Sequence, residues 1–379
     1  MSKLRLCFIS ESRATYALLT GEECSKVGGA ELQQTVLASG LAKLGYEIAF
    51  LVPDFGQPPD VTTEQGITLV KIRPQSNRLP GLKFFDEIAR FFQAMKRADA
   101  DIYYQRAGSP VTGITALYCR LHRKPFVFSL ASNMDLDGTW KRGLRPHYYL
   151  LYRYGLTHAT AIVAQTDDQM RLLKETIGKE GVLSRSTFAD SPGASGAVER
   201  RYILWVGNFW GVKRPAMFLE LAGRRPQYEF VMVGGPHTGE ERIFEETSEQ
   251  AKGVPNLRFV GPVPYSEVGA YFDSAAVFVN TSSKEGFPNT YMQAWCRGIP
   301  IIATYDADRL IERFGLGKHC EDVDDLAGAV DEFMKDEKLR EEAGARAISY
   351  VREHHSPEAV TAKYDSLFMQ LYRGEKPGE

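Results

Sequence analysis

From residue 284 to 304 the chain reads Lys-Glu-Gly-Phe-Pro-Asn-Thr-Tyr-Met-Gln-Ala-Trp-Cys-Arg-Gly-Ile-Pro-Ile-Ile-Ala-Thr. Apolar runs flank it, 275–279 before and 299–303 after, so the order is strand, loop, helix, strand. The loop of Glu285, Gly286, Phe287, Pro288 and Asn289 leads through Thr290 into the helix that carries Gln293 and Trp295. A helix start offers unpaired N–H groups and a positive dipole end, which suits a phosphate. A carboxylate at the head of the loop accepts hydrogen bonds from sugar hydroxyls. Gln293, further along the helix, is placed for a second hydroxylated ring. Together these groups suit a sugar joined to a nucleotide through phosphates. Met292 and Trp295 read as core. A second polar loop, Gly207-Asn208-Phe209-Trp210-Gly211-Val212-Lys213-Arg214-Pro215, also joins a strand to a helix. A helix start disfavours cations, so Lys213 and Arg214 there call for an anion. Lys213 reads as a phosphate ligand that neutralises charge. Arg214 either shares that role or points elsewhere.

Alternating strands and helices must position these loops. Strands are expected at 4–10, 48–52, 67–72, 102–104, 126–130 and 161–164, with 11–27 read as loop. Gly28-Gly29-Ala30-Glu31 opens a helix with Leu32, Val36, Leu37, Leu41 and Leu44 on one face. Residues 184–200 are small, polar and rich in Gly and Pro, the composition of a linker. Alternation restarts with strands at 202–206, 229–233 and 257–260 and helices at 215–222, 240–251 and 265–272. The last helix is expected at about 357–372. The pattern specifies α/β architecture with two doubly wound, Rossmann-like domains. The domains are 1–185, a linker at 186–200, 201–355, and a terminal helix in 356–379. Ligands of such sheets bind outside the carboxyl ends of strands. The loops at 28–31, 207–213, 261–263 and 285–290 all fall there.

Composition narrows the class. The 379 residues suit two domains. A net charge of −2 gives no general case for nucleic-acid binding. Five scattered cysteines, with no CxxC pair or Cys/His cluster to suggest zinc, fit a reducing cytosol. The first apolar run is too short for a signal peptide, and no run approaches the roughly 20 residues that span a bilayer. The reading is therefore a cytoplasmic protein. Residues 141–154 interleave Lys141, Arg142, Arg145, His147 and Arg153 with Trp140, Tyr148, Tyr149, Tyr152 and Tyr154. That mixture suits an anionic lipid surface, hence peripheral contact at the inner membrane face, or a glycan, or a plain surface. The apolar spacing in 82–95 reads as a core helix.

The 284–304 segment resembles the acidic signature of the family-4 retaining glycosyltransferases, the glycosyl transferases group 1 of GT-B fold. That signature is Glu, seven residues, Glu, then Ala-x-x-x-Gly-x-Pro-Ile/Val. Glu285 matches its first acid, and Gln293 stands at the second. Gly28-Gly29-Ala30-Glu31-Leu32-Gln33-Gln34 resembles the family's first-domain glycine loop. Lys213 matches a diphosphate-binding Lys, while Asn208 stands where Arg is usual. Val260-Gly261-Pro262-Val263 resembles the turn whose backbone meets the nucleobase. The family's first-domain His is absent, with Asn133 or Asp135 in its neighbourhood and Arg106 at another strand end as further candidates. Asp135-Leu136-Asp137 matches a metal-holding pattern of a different glycosyltransferase fold and is read as chance.

The resemblance implies two domains facing across a cleft, an acceptor side first and a donor side second, with the terminal helix returning to the first. It implies no metal and no cofactor, with a UDP- or GDP-sugar as co-substrate. The sugar passes with retention to a hydroxyl of a polysaccharide, glycolipid or small molecule, by front-face substitution. Lys213 and Glu285 are then the catalytic pair. The donor contacts are Gly28, Gly29, Gly207, Asn208, Lys213, Arg214, Val263, Glu285, Gly286, Phe287, Pro288, Asn289, Thr290 and Gln293. The alternatives are a non-catalytic nucleotide-sugar binding protein of this fold, or a nucleotide-sugar epimerase. No segment suits a Lys-bound pyridoxal phosphate.

Overall fold

The computed structural model describes residues 4–24, 27–75, 80–187 and 199–376. The chain forms two compact units, Met1–Thr187 with Pro357–Glu379, and Phe188–Ser356. The sheet of the first unit contains β1 (Arg5–Ile9), β2 (Glu47–Val52), β3 (Asp60–Thr62), β4 (Thr68–Lys71), β5 (Ile102–Arg106), β6 (Phe126–Ser129), β7 (Ala161–Ala164) and β8 (Val182–Leu183). Its order is β3-β4-β2-β1-β5-β6-β7-β8, parallel except for β3 against β4. Period-two alternation sends Cys7 and Ile9 into one core and Leu6 and Phe8 into the other. Burial on both faces explains why β1 is apolar over residues 6–9. Helices Pro80–Ala98, Pro110–His122, Pro146–His158 and Asp167–Ile177 supply the first core. Helices Arg13–Thr20, Gly29–Lys43 and Pro357–Tyr372 supply the second.

Helix Pro357–Tyr372 belongs to this first unit although it follows the second in sequence. Val360, Tyr364, Leu367, Phe368 and Leu371 are buried there, each contributing about 1.5–3 kcal/mol as an upper range. A Cβ at Gly40 would lie 2.4 Å from Thr361 Oγ1, so glycine permits the helix–helix approach. Tyr46 Oη donates to Asp365, and Tyr364 packs edge-on against Tyr104.

The second unit contains β9 (Tyr202–Val206), β10 (Phe230–Val233), β11 (Leu257–Gly261), β12 (Ala275–Asn280), β13 (Ile301–Ala303) and β14 (Gly317–His319). Its order is β11-β10-β9-β12-β13-β14, all parallel. The strand order reverses between β1 and β5 in the first sheet and between β9 and β12 in the second.

One expectation needs correcting. The 11–27 stretch is not all loop: Arg13–Thr20 is a helix, capped by Ser12 Oγ accepting from Ala14 N and ended by Gly21 at φ 76°. Strands β3, β8 and β14 were not anticipated from the sequence. Residues 188–198 of the expected linker lie outside the described residues. Of its flanks, Thr187 is held by Gln33, and Arg200 donates to the carbonyls of Arg297 and Gly298.

Candidate functional site

The loops after β9 and β12 flank the strand-order reversal of the second sheet. Phe209, fully buried, anchors the first loop among Trp205, Phe244 and Phe259. A Cβ at Gly234 would fall 1.8 Å from Gly207 O, and φ is +147°, so only glycine lets the β10 loop lie this close. Beyond Phe209 the chain makes a 3-10 turn, Gly211–Lys213, and Arg214 takes a left-handed conformation at φ 46° before Pro215 starts helix Pro215–Arg224.

The two catalytic candidates meet. Lys213 Nζ donates to Glu285 Oε1, and Ser282 Oγ donates to the same oxygen at 2.7 Å. Their side chains retain 20% and 14% exposure. The two loops are stitched by Ser283 N to Val212 O at 2.8 Å and by Thr281 Oγ1 to Lys213 O at 2.6 Å. Arg214 takes no place beside Lys213. Its Nε donates to Thr281 O at 2.7 Å, and its Nη2 donates to Thr304 Oγ1 at 2.7 Å and Ser282 O at 3.3 Å. It is a brace between loops, and Asn208 is exposed.

After Glu285, Tyr305 Oη donates to the carbonyls of Glu285 and Gly286 at 3.1 and 3.3 Å. Phe287 is buried and stacks on His355, with centroids 4.8 Å apart. Pro288 precedes helix Asn289–Trp295, two turns that carry Thr290 near their start. Gln293 is 7% exposed, and Met292 and Trp295 sit in the core. Val263 packs against the same core after Gly261 at φ 81°. Ser282, Tyr305, His355 and the Trp210–His237 stack (4.7 Å, 11°) were not singled out from the sequence. Only Ser282, three residues before Glu285, carried a local signal.

The first-unit candidates are dispersed among structural tasks. Gly28 caps helix Gly29–Lys43 without a side chain, and the Glu31 carboxylate lies where a Cβ at Gly28 would collide with it. Asn133 and Asp135 form a 3-10 turn after β6. Asp135 accepts from Gly108 N at 3.0 Å, Ala131 N at 2.7 Å and Ser132 N at 3.1 Å. Burial pushes its carboxyl above the ordinary value, against those donors. Asp137 instead accepts from Thr139. Asp135 is thus a brace joining the β5 and β6 loops. Asn133 Oδ1 is buried without a hydrogen-bond partner. Arg106, at the end of β5, is buried and donates to Ser129 and Ser186.

Helix Pro80–Ala98 is only partly the core helix expected of 82–95. Phe91 and Met95 are buried, yet Leu82 and Phe85 are 48% and 66% exposed. Phe84 packs on His147 and Tyr148, which joins this helix start to helix Pro146–His158 and its 67% exposed Leu150. Lys83 is exposed on the first of these helices, and Lys141 and Arg145 are exposed in the stretch that leads into the second. No helix among the described residues is long and apolar enough to cross a membrane.

Residues 190–350 match the model of the family Glycosyl transferases group 1, and residues 28–181 match the Glycosyl transferase 4-like domain. The D-inositol 3-phosphate glycosyltransferase of Corynebacterium jeikeium (strain K411) is 26% identical over 213 residues, 49% of this chain and 51% of that protein. The chain thus spans about half the length of that relative. Among solved structures, the sucrose-phosphate synthase of Thermosynechococcus elongatus aligns with a TM-score of 0.80 at 17% identity, covering 98% of this chain and 100% of that one. Anabaena HepE in complex with UDP aligns with a TM-score of 0.73 at 14% identity, covering 97% of this chain and 100% of that one. At these identities the structural likeness carries the fold, and the two family matches carry the family. With two parallel-sheet α/β units and both matches in chain order, the chain pairs a Glycosyl transferase 4-like domain with a Glycosyl transferases group 1 domain in a fold of GT-B type.

Proposed function

We propose that the protein is a retaining glycosyltransferase that moves a sugar from a UDP- or GDP-sugar to an acceptor hydroxyl without a metal. The observation that carries this reading is the Lys213–Glu285 pair at the strand-order reversal of the second unit. The donor diphosphate takes Lys213, and the loop 285–290 and Gly207 border it. Gln293 takes ribose hydroxyls, and the backbone at Val263 takes the base. The complex of HepE with UDP supports a uridine nucleotide as the first probe.

The acceptor oxygen attacks the anomeric carbon from the face the phosphate leaves. The carbon–oxygen bond to phosphate breaks through an oxocarbenium-like state, and the acceptor proton passes to the departing phosphate oxygen. Lys213 offsets the charge that builds on that phosphate. Glu285, released from Lys213, orients the sugar hydroxyls. Asn208 adds a neutral contact. On the acceptor side, the exposed Leu82, Phe85 and Leu150 with Lys83, Lys141 and Arg145 suit peripheral contact with an anionic bilayer.

The test is donor breakdown by purified protein against a panel of UDP-, GDP- and ADP-sugars without added metal. Nucleotide release from one donor, with the sugar product retaining its anomeric configuration, is expected. Release that requires a divalent ion, or an inverted product, would sink the proposed chemistry. Nucleotide binding with no turnover, acceptors included, would leave a binding protein.

A further inference from the structure

Arg106 ends β5 and is 8% exposed. One Nη donates to Ser129 Oγ at 3.2 Å and the other to Ser186 Oγ at 3.3 Å. Both acceptors are neutral hydroxyls at long range, and the Nε–H has no partner. Among the described residues no carboxylate forms an ion pair with this guanidinium, unlike Arg90 with Asp86 or Arg297 with Asp273. Arginine cannot shed its charge in a protein, so a buried guanidinium without a counter-ion is a costly arrangement.

Its position gives that arrangement a use. Arg106 stands at the carboxyl edge of the first sheet, on a strand that flanks the order reversal, where such sheets take ligands. Ser129 closes β6, and Ser186 follows β8. Ser186 also donates to Gln165 Oε1, and its neighbour Thr187 is clasped by Gln33 of helix Gly29–Lys43. The Nε edge is half of the two-pronged fork that fits a phosphate or carboxylate. The Ser129 hydroxyl can rotate to donate to an anion, and the Ser186 hydroxyl can do so by leaving Gln165 Oε1. The phenol of Tyr364, which meets Ser129 Oγ at 3.4 Å, is pushed up by burial and stays neutral, so it supplies no counter-charge.

We propose that Arg106 binds a phosphate or carboxylate group in the first unit, with Ser129 and Ser186 as flanking donors, and that this group belongs to an anionic acceptor. Assigning the anion to the acceptor rests on the transferase reading, whereas the anion site does not. The competing role is a purely structural clip between β5, β6 and the segment after β8.

Inorganic phosphate and malonate, titrated against melting temperature, separate the two. The parent is Lys213→Ala, which removes the phosphate ligand proposed for the second unit. At about ten times its Kd, one of the two anions is expected to raise melting by about 3–5 °C. Adding Arg106→Gln should abolish that shift, while Arg106→Lys, which keeps the charge, should retain part of it. In anion-free buffer the Arg106→Gln protein should melt no lower than its parent, because an uncompensated charge has gone. The anion with the larger shift identifies the acceptor as phosphate- or carboxylate-bearing. Equal shifts with and without Arg106, or no shift with either anion, would overturn the site. A large fall in melting for both Arg106 variants with no anion response would establish the clip. Failure of donor turnover by the wild type would sink the transferase reading and leave the anion shift standing.

Discussion

Glu285→Gln is expected to move nucleotide affinity and turnover in opposite directions. Glu285 shares one carboxylate oxygen between Lys213 Nζ and Ser282 Oγ, and both charged side chains are largely shielded. In the proposed function a donor diphosphate takes the same ammonium group. The carboxylate is therefore a rival for Lys213 and a like charge beside the phosphates. Unit charges about 5 Å apart interact by about 0.8 kcal/mol in water and about 3 kcal/mol at an effective dielectric near 20. A partly shielded pair lies between, at about 1–2 kcal/mol. Removing the charge while keeping the shape should tighten nucleoside diphosphate binding about 5–30-fold. Turnover should fall about 10–100-fold, because charge-assisted hydrogen bonds to the sugar, worth about 1.5–3 kcal/mol, are weakened. Lys213→Ala should instead lose both, with kcat down about 100–1000-fold. Calorimetric titration with the diphosphate of the active donor, beside donor turnover, reads both quantities. Glu285→Gln protein that binds the diphosphate more weakly than wild type would refute the rivalry. Wild-type turnover by Lys213→Ala would refute its role on the leaving phosphate.

Asn208→Arg should tighten diphosphate binding by about 1 kcal/mol, roughly fivefold, with a steeper salt dependence, since the exposed Asn208 adds no cation to the loop after β9; unchanged affinity would place residue 208 away from the phosphates. Gln293→Glu should lower the donor KM about fivefold with kcat little changed, through a charge-assisted bond to ribose; a raised KM would show that Gln293 does not meet the nucleotide. Wild-type protein should sediment with vesicles containing phosphatidylglycerol and release at high salt, and Leu82→Ser/Phe85→Ser/Leu150→Ser should not sediment. Wild-type protein left in the supernatant would end the membrane reading.

The parts of the fold that the sequence reveals are those buried on both faces. The apolar stretches 6–9 of β1, 102–104 of β5 and 275–279 of β12 are legible because each strand feeds two cores. β3, β8 and β14 are two or three residues long, and the Gly-Lys-His of β14 has no strand character. Pairing with β4, β7 and β13 decides them, and that is tertiary information. Helix Arg13–Thr20 carried a legible cap at each end, Ser12 and Gly21, but eight residues give too few apolar repeats to declare a period. For the site, the sequence places Lys213 and Glu285 each at a strand end. It cannot say that β9 and β12 are neighbours, so their contact across 72 residues was visible only through family resemblance.

The divergence of Lys213 and Arg214 shows how backbone geometry sorts two adjacent cations that composition treats alike. Lys213 ends a 3-10 turn and reaches Glu285 on its flexible stem. One residue on, the left-handed backbone at Arg214 and the fixed φ of Pro215 turn the chain into a helix, and the guanidinium points back along the β12 loop. There a planar group with donors on separate nitrogens satisfies two carbonyls and a hydroxyl at once, spread wider than the single nitrogen of a lysine reaches. Those bonds hold Thr281 and Ser282, and Ser282 in turn holds Glu285. Arg214 thus acts on the site through its frame. With Asn208 neutral and Arg214 engaged as a brace, Lys213 is the cation of the loop after β9 that the proposed reading gives to a diphosphate, and its present partner is the carboxylate proposed to take the sugar. On that proposed reading, engaging the phosphates frees Glu285 in the same step, so that donor binding itself arms the group proposed to orient the sugar.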